Sequence, residues 1–232
     1  MKFTNIFDRV YGLYLDERVS NYNQINNIIP HEKFVGGKGK LLPIEEYNHI
    51  DTEDLPPVYL NSIDYPTWHV RSSAYNAWLC HQKIFRKFYN DPEKPNTMLL
   101  LEDDIFIHDD YEEALSYPLV KSILSDHKYW DMFYFGCYQN SKSLDVIPTI
   151  GEKFKVQYLN GAGGFHAVAM TREIVGKLLE FPPIGPYDWI AGKYLHPEYR
   201  CFAIYPTVID QSSGYSYVEG HDLQKPNRWF NG

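Results

Sequence analysis

Three consecutive carboxylates, Glu102-Asp103-Asp104, close the apolar run Met98-Leu99-Leu100-Leu101. Like charges this close raise one another's pKa and cost stability. Either a strand has simply reached solvent there, or a cation offsets the repulsion; the triplet alone leaves both readings open. Successive strand residues point to opposite faces, so Glu102 and Asp104 are expected on one side and Asp103 on the other. Carboxylate oxygens suit Mg²⁺ or Mn²⁺, which keep positions open for water and phosphate oxygens. A cation held there would bridge a diphosphate and stabilise it as a leaving group. Asp103, turned away, is expected to bond backbone amides or a ribose. A histidine from a C-terminal segment folding over the ligand would complete the coordination. His221, in Glu219-Gly220-His221-Asp222, is the candidate, with His166 and His196 as alternatives.

Other residues fit a nucleotide around that cation. Asp16 and Arg18 follow the first apolar strand, whose last residues are Tyr14 and Leu15. Asp16 would meet the base or ribose and Arg18 a phosphate or the base; the plain alternative is a surface ion pair, worth little. Arg71 and Ser73 open a long helix and either reach the nucleotide or serve the helix start. Gly163 and Gly164, in Asn160-Gly161-Ala162-Gly163-Gly164, leave a loop without bulk, so backbone can approach a sugar. His81 sits on an apolar helix face and reads as a satisfied core residue.

The elements that must position these groups follow from periodicity. Residues 7–15 read as a strand, with Val10, Tyr11, Leu13, Tyr14 and Leu15 as β-formers. Val19, Tyr22, Ile25 and Ile29 repeat at helical spacing up to Pro30. Residues 34–66 read as irregular, with a basic Gly36–Lys40 loop that lacks P-loop spacing. A helix is expected over 68–89, a strand buried on both faces over 98–101, and a short helix from Asp110. Strands are expected at 131–135, 155–159, 165–170 and 201–205. A helix capped by Thr171 should run to Glu180, and a short one should start near Pro186. The tail from Gln211 reads as irregular. Strands alternating with helices predict one α/β domain over 1–232, its nucleotide-binding part about 1–136 and its acceptor-side part about 137–232.

Composition narrows the function classes. The chain has 232 residues, 44% of them hydrophobic, enough for one packed domain. A formal net charge of -8 argues against a nucleic-acid binder working through a basic surface. Three widely spaced cysteines, Cys80, Cys137 and Cys201, read as reduced thiols in a cytosolic protein. No apolar run has the length of a membrane span, and the first residues lack a signal-peptide core. A cytoplasmic location is expected, with peripheral membrane contact left open. Aromatics make up 16%, flat faces suited to sugars and nucleobases as well as to core packing.

In order along the chain, VYGLYLDERVSNY, AWLCHQKIF, TMLLLEDDIFIHDDY, YWDMFYFG, GFHAVAMTREIVGKLL, PIGPYDW and AIYPTVIDQSSGYS resemble the segments of glycosyltransferase family 25. That family is the lipopolysaccharide and procollagen galactosyltransferase-like group, which also has viral relatives. The LEDD segment is the most specific match; Cys80 stands where the family usually has Ser. The resemblance implies a GT-A type fold, a divalent cation (Mn²⁺ or Mg²⁺), a nucleotide-diphosphate sugar donor such as a UDP-hexose, and a glycan or glycoprotein acceptor. For a viral member the compartment would be the host cytoplasm. It also implies inversion, which needs a carboxylate base across the anomeric carbon from the diphosphate. Asp188, before the potential sugar platform Trp189, is the expected base and Asp210 the second candidate. An N-cap role for Asp188 competes with that assignment. Two other classes share the residues: a metal-dependent phosphotransferase or nuclease, and a non-catalytic carbohydrate-binding protein.

Overall fold

The computed structural model describes residues 2–15, 19–36, 72–139, 153–181, 186–212, 214–216 and 221–223. Asp16, Arg18, Arg71 and most of the 34–66 segment lie outside the described residues. A seven-stranded sheet forms the middle layer. Its strands are β1 (Arg9–Leu15), β2 (Glu32–Gly36), β3 (Thr97–Glu102), β5 (Met132–Gln139), β6 (Lys155–Tyr158), β7 (Ala162–Thr171) and β8 (Cys201–Tyr205). They lie side by side in the order β2-β1-β3-β7-β5-β8-β6. Five of them run one way; β7 and β6 run against their neighbours. The sheet is therefore mostly parallel, with helices on both faces, as the strand and helix alternation predicts.

Alternation along β3 divides the core. Met98 and Leu100 face one layer with α2 (Ser72–Tyr89), α5 (Arg172–Glu180) and α6 (Tyr187–Ile190). Trp78, Ile84, Phe85 and Phe88 of α2 pack there against Val168 and Met170 of β7. Leu99 and Leu101 face the other layer, built from α1 (Val19–Ile28), α3 (Tyr111–Ser116) and α4 (Pro118–Leu124). Each large apolar side chain fully buried in this way contributes about 2–3 kcal/mol. The uninterrupted apolar run is thus what a strand covered on both faces requires.

Several elements differ from expectation. The first strand starts at Arg9, because Phe3–Asn5 forms a 3-10 turn that buries Phe3. Residues 32–36, largely read as loop, add β2 beside β1; its half-exposed edge lacks a continuous apolar signal. Gly136 does not end β5: the strand continues to Gln139 through two register shifts against β7. A Cβ on Gly136 would collide with the carbonyl oxygen of Ile209, so the glycine marks a close backbone approach. A two-stranded ribbon of β4 (Ile105–Ile107) and β9 (Ile209–Gln211) was not legible, since each strand is only three residues long. The tail is also less irregular than expected, because β10 (Gly214–Ser216) pairs with β11 (His221–Leu223). Thr171 does sit at the N-cap of α5, but its side chain makes no capping hydrogen bond. None of the described helices is long and apolar enough to cross a membrane.

Candidate functional site

The triplet lies at the C-terminal edge of β3, beside the C-terminal end of β1, where open α/β sheets bind ligands. The strand ends at Glu102, and Asp103 and Asp104 form the turn into β4. The alternation that was to place Glu102 and Asp104 on one face therefore stops before Asp104. Glu102 itself continues the Met98–Leu100 face, under α2.

There the Glu102 carboxylate lies between two imidazoles. His81 of α2 has Nε2 at 3.5 Å from Oε1, and His166 of β7 has Nδ1 at 3.5 Å from Oε2. His81 donates Nδ1–H to the carbonyl of Ala77 (2.8 Å), which turns Nε2 toward the carboxylate. Burial alone would raise the pKa of Glu102. His166 and His81 overcome it and hold the carboxyl at about 2, so Glu102 is ionised throughout the working range. Burial alone would lower His166. The charges of Glu102, Asp104 and Asp188 outweigh it and raise the imidazole above its ordinary value. Three carboxylates, two from the triplet and one from α6, thus act on one histidine. His81, read from sequence as a core residue, is buried and adjoins the site; its apolar helix neighbours hid it.

Asp104 accepts a hydrogen bond from Gln211 Nε2 (2.8 Å) through Oδ2, and its carbonyl accepts from Ser212 N–H (2.5 Å). The ribbon thereby ties the triplet turn to the segment before the tail. Asp103 is buried on the other side: its carbonyl accepts from Asn21 Nδ2 (3.0 Å), and its charge helps burial raise the Tyr14 hydroxyl. Tyr14 is fully buried and pairs its hydroxyl with His31 Nε2 (2.8 Å), so its side chain serves the core. Leu15 ends β1, Ser73 lies in the first turn of α2 and His221 opens β11; only their backbone is described.

Asp188 does not cap its helix, whose N-cap is Pro186. Its Oδ2 accepts the amide of Gly164 (2.7 Å), across from α6 to the start of β7. Gly164 has φ +84, a conformation natural to glycine, and a Cβ on Gly163 would sit 3.6 Å from the same Oδ2. The glycine loop and Asp188 therefore form one unit beside His166. Trp189 carries Lys193 Nζ 4.5 Å from its ring centroid and meets Tyr194 edge-on, so cation and aromatic share the expected platform.

Asp210 belongs to another group. It pairs in register with Phe106, on the ribbon face opposite Gln211. Its oxygens accept from Thr207 Oγ1 (2.5 Å) and pair with His108 Nε2 (2.7 Å). The structure brings Glu102, Asp104, Asp188, Gly163 and Gly164 together, and it does not bring Asp210 to them. His196, an alternative metal ligand in sequence, uses Nδ1 on Gly161 N–H (3.2 Å) and Nε2 on Tyr134 (2.9 Å). Asp131 sits at the opposite sheet edge, paired with Arg200 Nε at 2.9 Å.

Among the described residues no group of three or more His, Cys, Asp and Glu side chains is arranged to hold a metal ion. Mg²⁺ and related cations are commonly held by one or two carboxylates together with substrate phosphates. Glu102 and Asp104 supply that number of carboxylates.

No protein-family model matches the chain, and the search of curated proteins found no match. Among solved structures, the A197 protein from STIV is similar at 11% identity and a TM-score of 0.42, covering 94% of this chain and 95% of that one. A glycosyltransferase involved in glycosylation of the major capsid of PBCV-1 is similar at 11% identity and a TM-score of 0.42, covering 91% and 96%. The mannose-1-phosphate geranyltransferase from Thermus thermophilus is similar at 10% identity and a TM-score of 0.38, covering 84% and 73%. Likenesses this remote carry no functional assignment.

Proposed function

We propose that the chain is a metal-dependent glycosyltransferase that moves a hexose from a nucleotide-diphosphate sugar, a UDP-sugar in the first instance, to a hydroxyl of a glycan or glycoprotein. One observation carries this reading. Asp188, Gly164, His166 and the Glu102–Asp104 turn converge at the ligand-binding edge of the sheet, and His166 responds to all three carboxylates. The ordered resemblance to glycosyltransferase family 25 supports the same class.

Glu102 and Asp104 would hold the cation, with His221 as the candidate imidazole. When bound, the cation neutralises charge on the diphosphate leaving group. The remaining roles fall to this chain. Asp188 takes the proton of the acceptor hydroxyl, whose oxygen attacks the anomeric carbon. The bond from that carbon to the diphosphate oxygen breaks, and the diphosphate leaves with the electron pair. The amide of Gly164 fixes one oxygen of Asp188, and the absent side chain at Gly163 leaves the backbone open to a sugar. Asp16, Arg18, Arg71, Ser73 and Asp103, with the backbone of Tyr14 and Leu15, are proposed on the nucleotide side.

A thermal-shift panel of nucleotide sugars with and without Mn²⁺ tests the reading. Stabilisation by one donor only in the presence of metal is expected. Glu102→Ala and Asp104→Ala should each remove it. No shift with any nucleotide sugar would overturn the proposal.

A further inference from the structure

We propose that His196 is a positioning residue that shapes the Gly161–Gly164 turn on which Asp188 works. The role assigned to Asp188 rests on the function proposed above; the clasp itself does not. Helix α6 continues without a break into a π turn (Ala191–Leu195), and His196 follows it directly. Asp188 and His196 therefore belong to one continuous segment. Each grips the glycine turn at one end: His196 at Gly161 (3.2 Å) and Asp188 at Gly164 (2.7 Å). Both glycines have positive φ, +97 and +84, so the turn has a defined and uncommon shape.

The hydrogen bonds also fix the state of the ring. A backbone amide can only donate, so Nδ1 of His196 must be unprotonated. The ring proton is then on Nε2 and is donated to the Tyr134 oxygen at 2.9 Å. The Tyr134 hydroxyl proton points to Met132 Sδ at 4.0 Å. His196 is 4% exposed and Tyr134 1%, with their rings edge to face at 5.4 Å. This chain runs from the sheet core on β5 through the imidazole to the turn. It ties the turn to the buried core on β5, and so sets the backbone that a sugar would meet beside Asp188.

Two near-isosteric substitutions separate the two bonds. His196→Asn keeps an acceptor at the position of Nδ1 and loses the contact with Tyr134. His196→Gln keeps a donor at the position of Nε2 and loses the acceptor for Gly161. Hydrogen–deuterium exchange of peptides spanning residues 159–165 should be about tenfold faster in His196→Gln, and within about threefold of wild type in His196→Asn. A residue that only filled the core would give the two variants the same exchange. Equal protection, or equal loss of it, overturns the proposal. In the wild-type protein, a long-range proton–nitrogen NMR spectrum should show His196 with its proton on Nε2; a proton on Nδ1 overturns the proposal without any variant. Neither readout needs a nucleotide sugar, so failure of the functional reading and failure of the clasp are told apart.

Discussion

Acid should loosen the fold through His196, and the size of the effect follows from its surroundings. Burial lowers the imidazole from 6.5 to about 4. The unfolded chain then takes up a proton that the folded one refuses. The stability held in the neutral ring is present in full above pH 6.5 and is lost as pH falls from 6.5 toward 4. At about 1.4 kcal/mol per pH unit, the whole window is worth about 3 kcal/mol, and the step from pH 7 to pH 5 about 2 kcal/mol. Other groups act elsewhere or can be subtracted. Glu102, held at about 2 against an ordinary 4.5, loses its contribution only below pH 4.5. His166, raised by Glu102 against burial, contributes below its unfolded pKa and loses that contribution as pH rises. His31 is lowered by burial and acts in the same direction as His196. Urea denaturation of wild type and His196→Gln at pH 7 and pH 5 isolates the residue, because glutamine does not titrate. Wild type should lose about 2 kcal/mol more than the variant between the two pH values. Parallel losses, within about 0.5 kcal/mol, would refute the assignment of a buried neutral imidazole.

Other expectations follow from the same contacts. Glu102→Gln removes the charge between His81 and His166 and should cost about 2 kcal/mol in chemical denaturation, as well as metal-dependent nucleotide binding. Asp188→Asn should lower transfer at least about a hundredfold while leaving donor binding intact, read by single-turnover kinetics and calorimetry; transfer near the wild-type rate would remove Asp188 as the base. Gly164→Ala should destabilise by about 1–2 kcal/mol through its positive φ, whereas Gly163→Ala meets Asp188 at an ordinary 3.6 Å and should fold normally. Gly136→Ala should cost at least about 2 kcal/mol, because the added carbon meets the Ile209 carbonyl, and thermal melting would show it.

Periodicity made most of the sheet and the long helices legible. The run Met98–Leu101 read as a strand covered on both faces and forms β3, and residues 201–205 form the expected β8. Short elements escaped, because three-residue strands such as β4 and β9 carry no period, and their pairing joins Ile105–Ile107 to residues about a hundred positions away. The candidate site divides along the same line. The sequence marked Glu102, Asp104, Gly163, Gly164 and Asp188 by residue type and by place in a motif. It ranked Asp188 above Asp210 only on the neighbouring Trp189, with no contact to support the order. Tertiary structure separated them by sending Asp188 to the Gly164 amide and Asp210 to Thr207 and His108. It also ended β3 at Glu102, which removed the alternation argument for Asp104, and it drew His81 and His166 around Glu102. Composition and spacing specify which groups are available at a strand end. Which carboxylate meets which amide or imidazole depends on contacts between distant segments, and those exist only once the layers have packed.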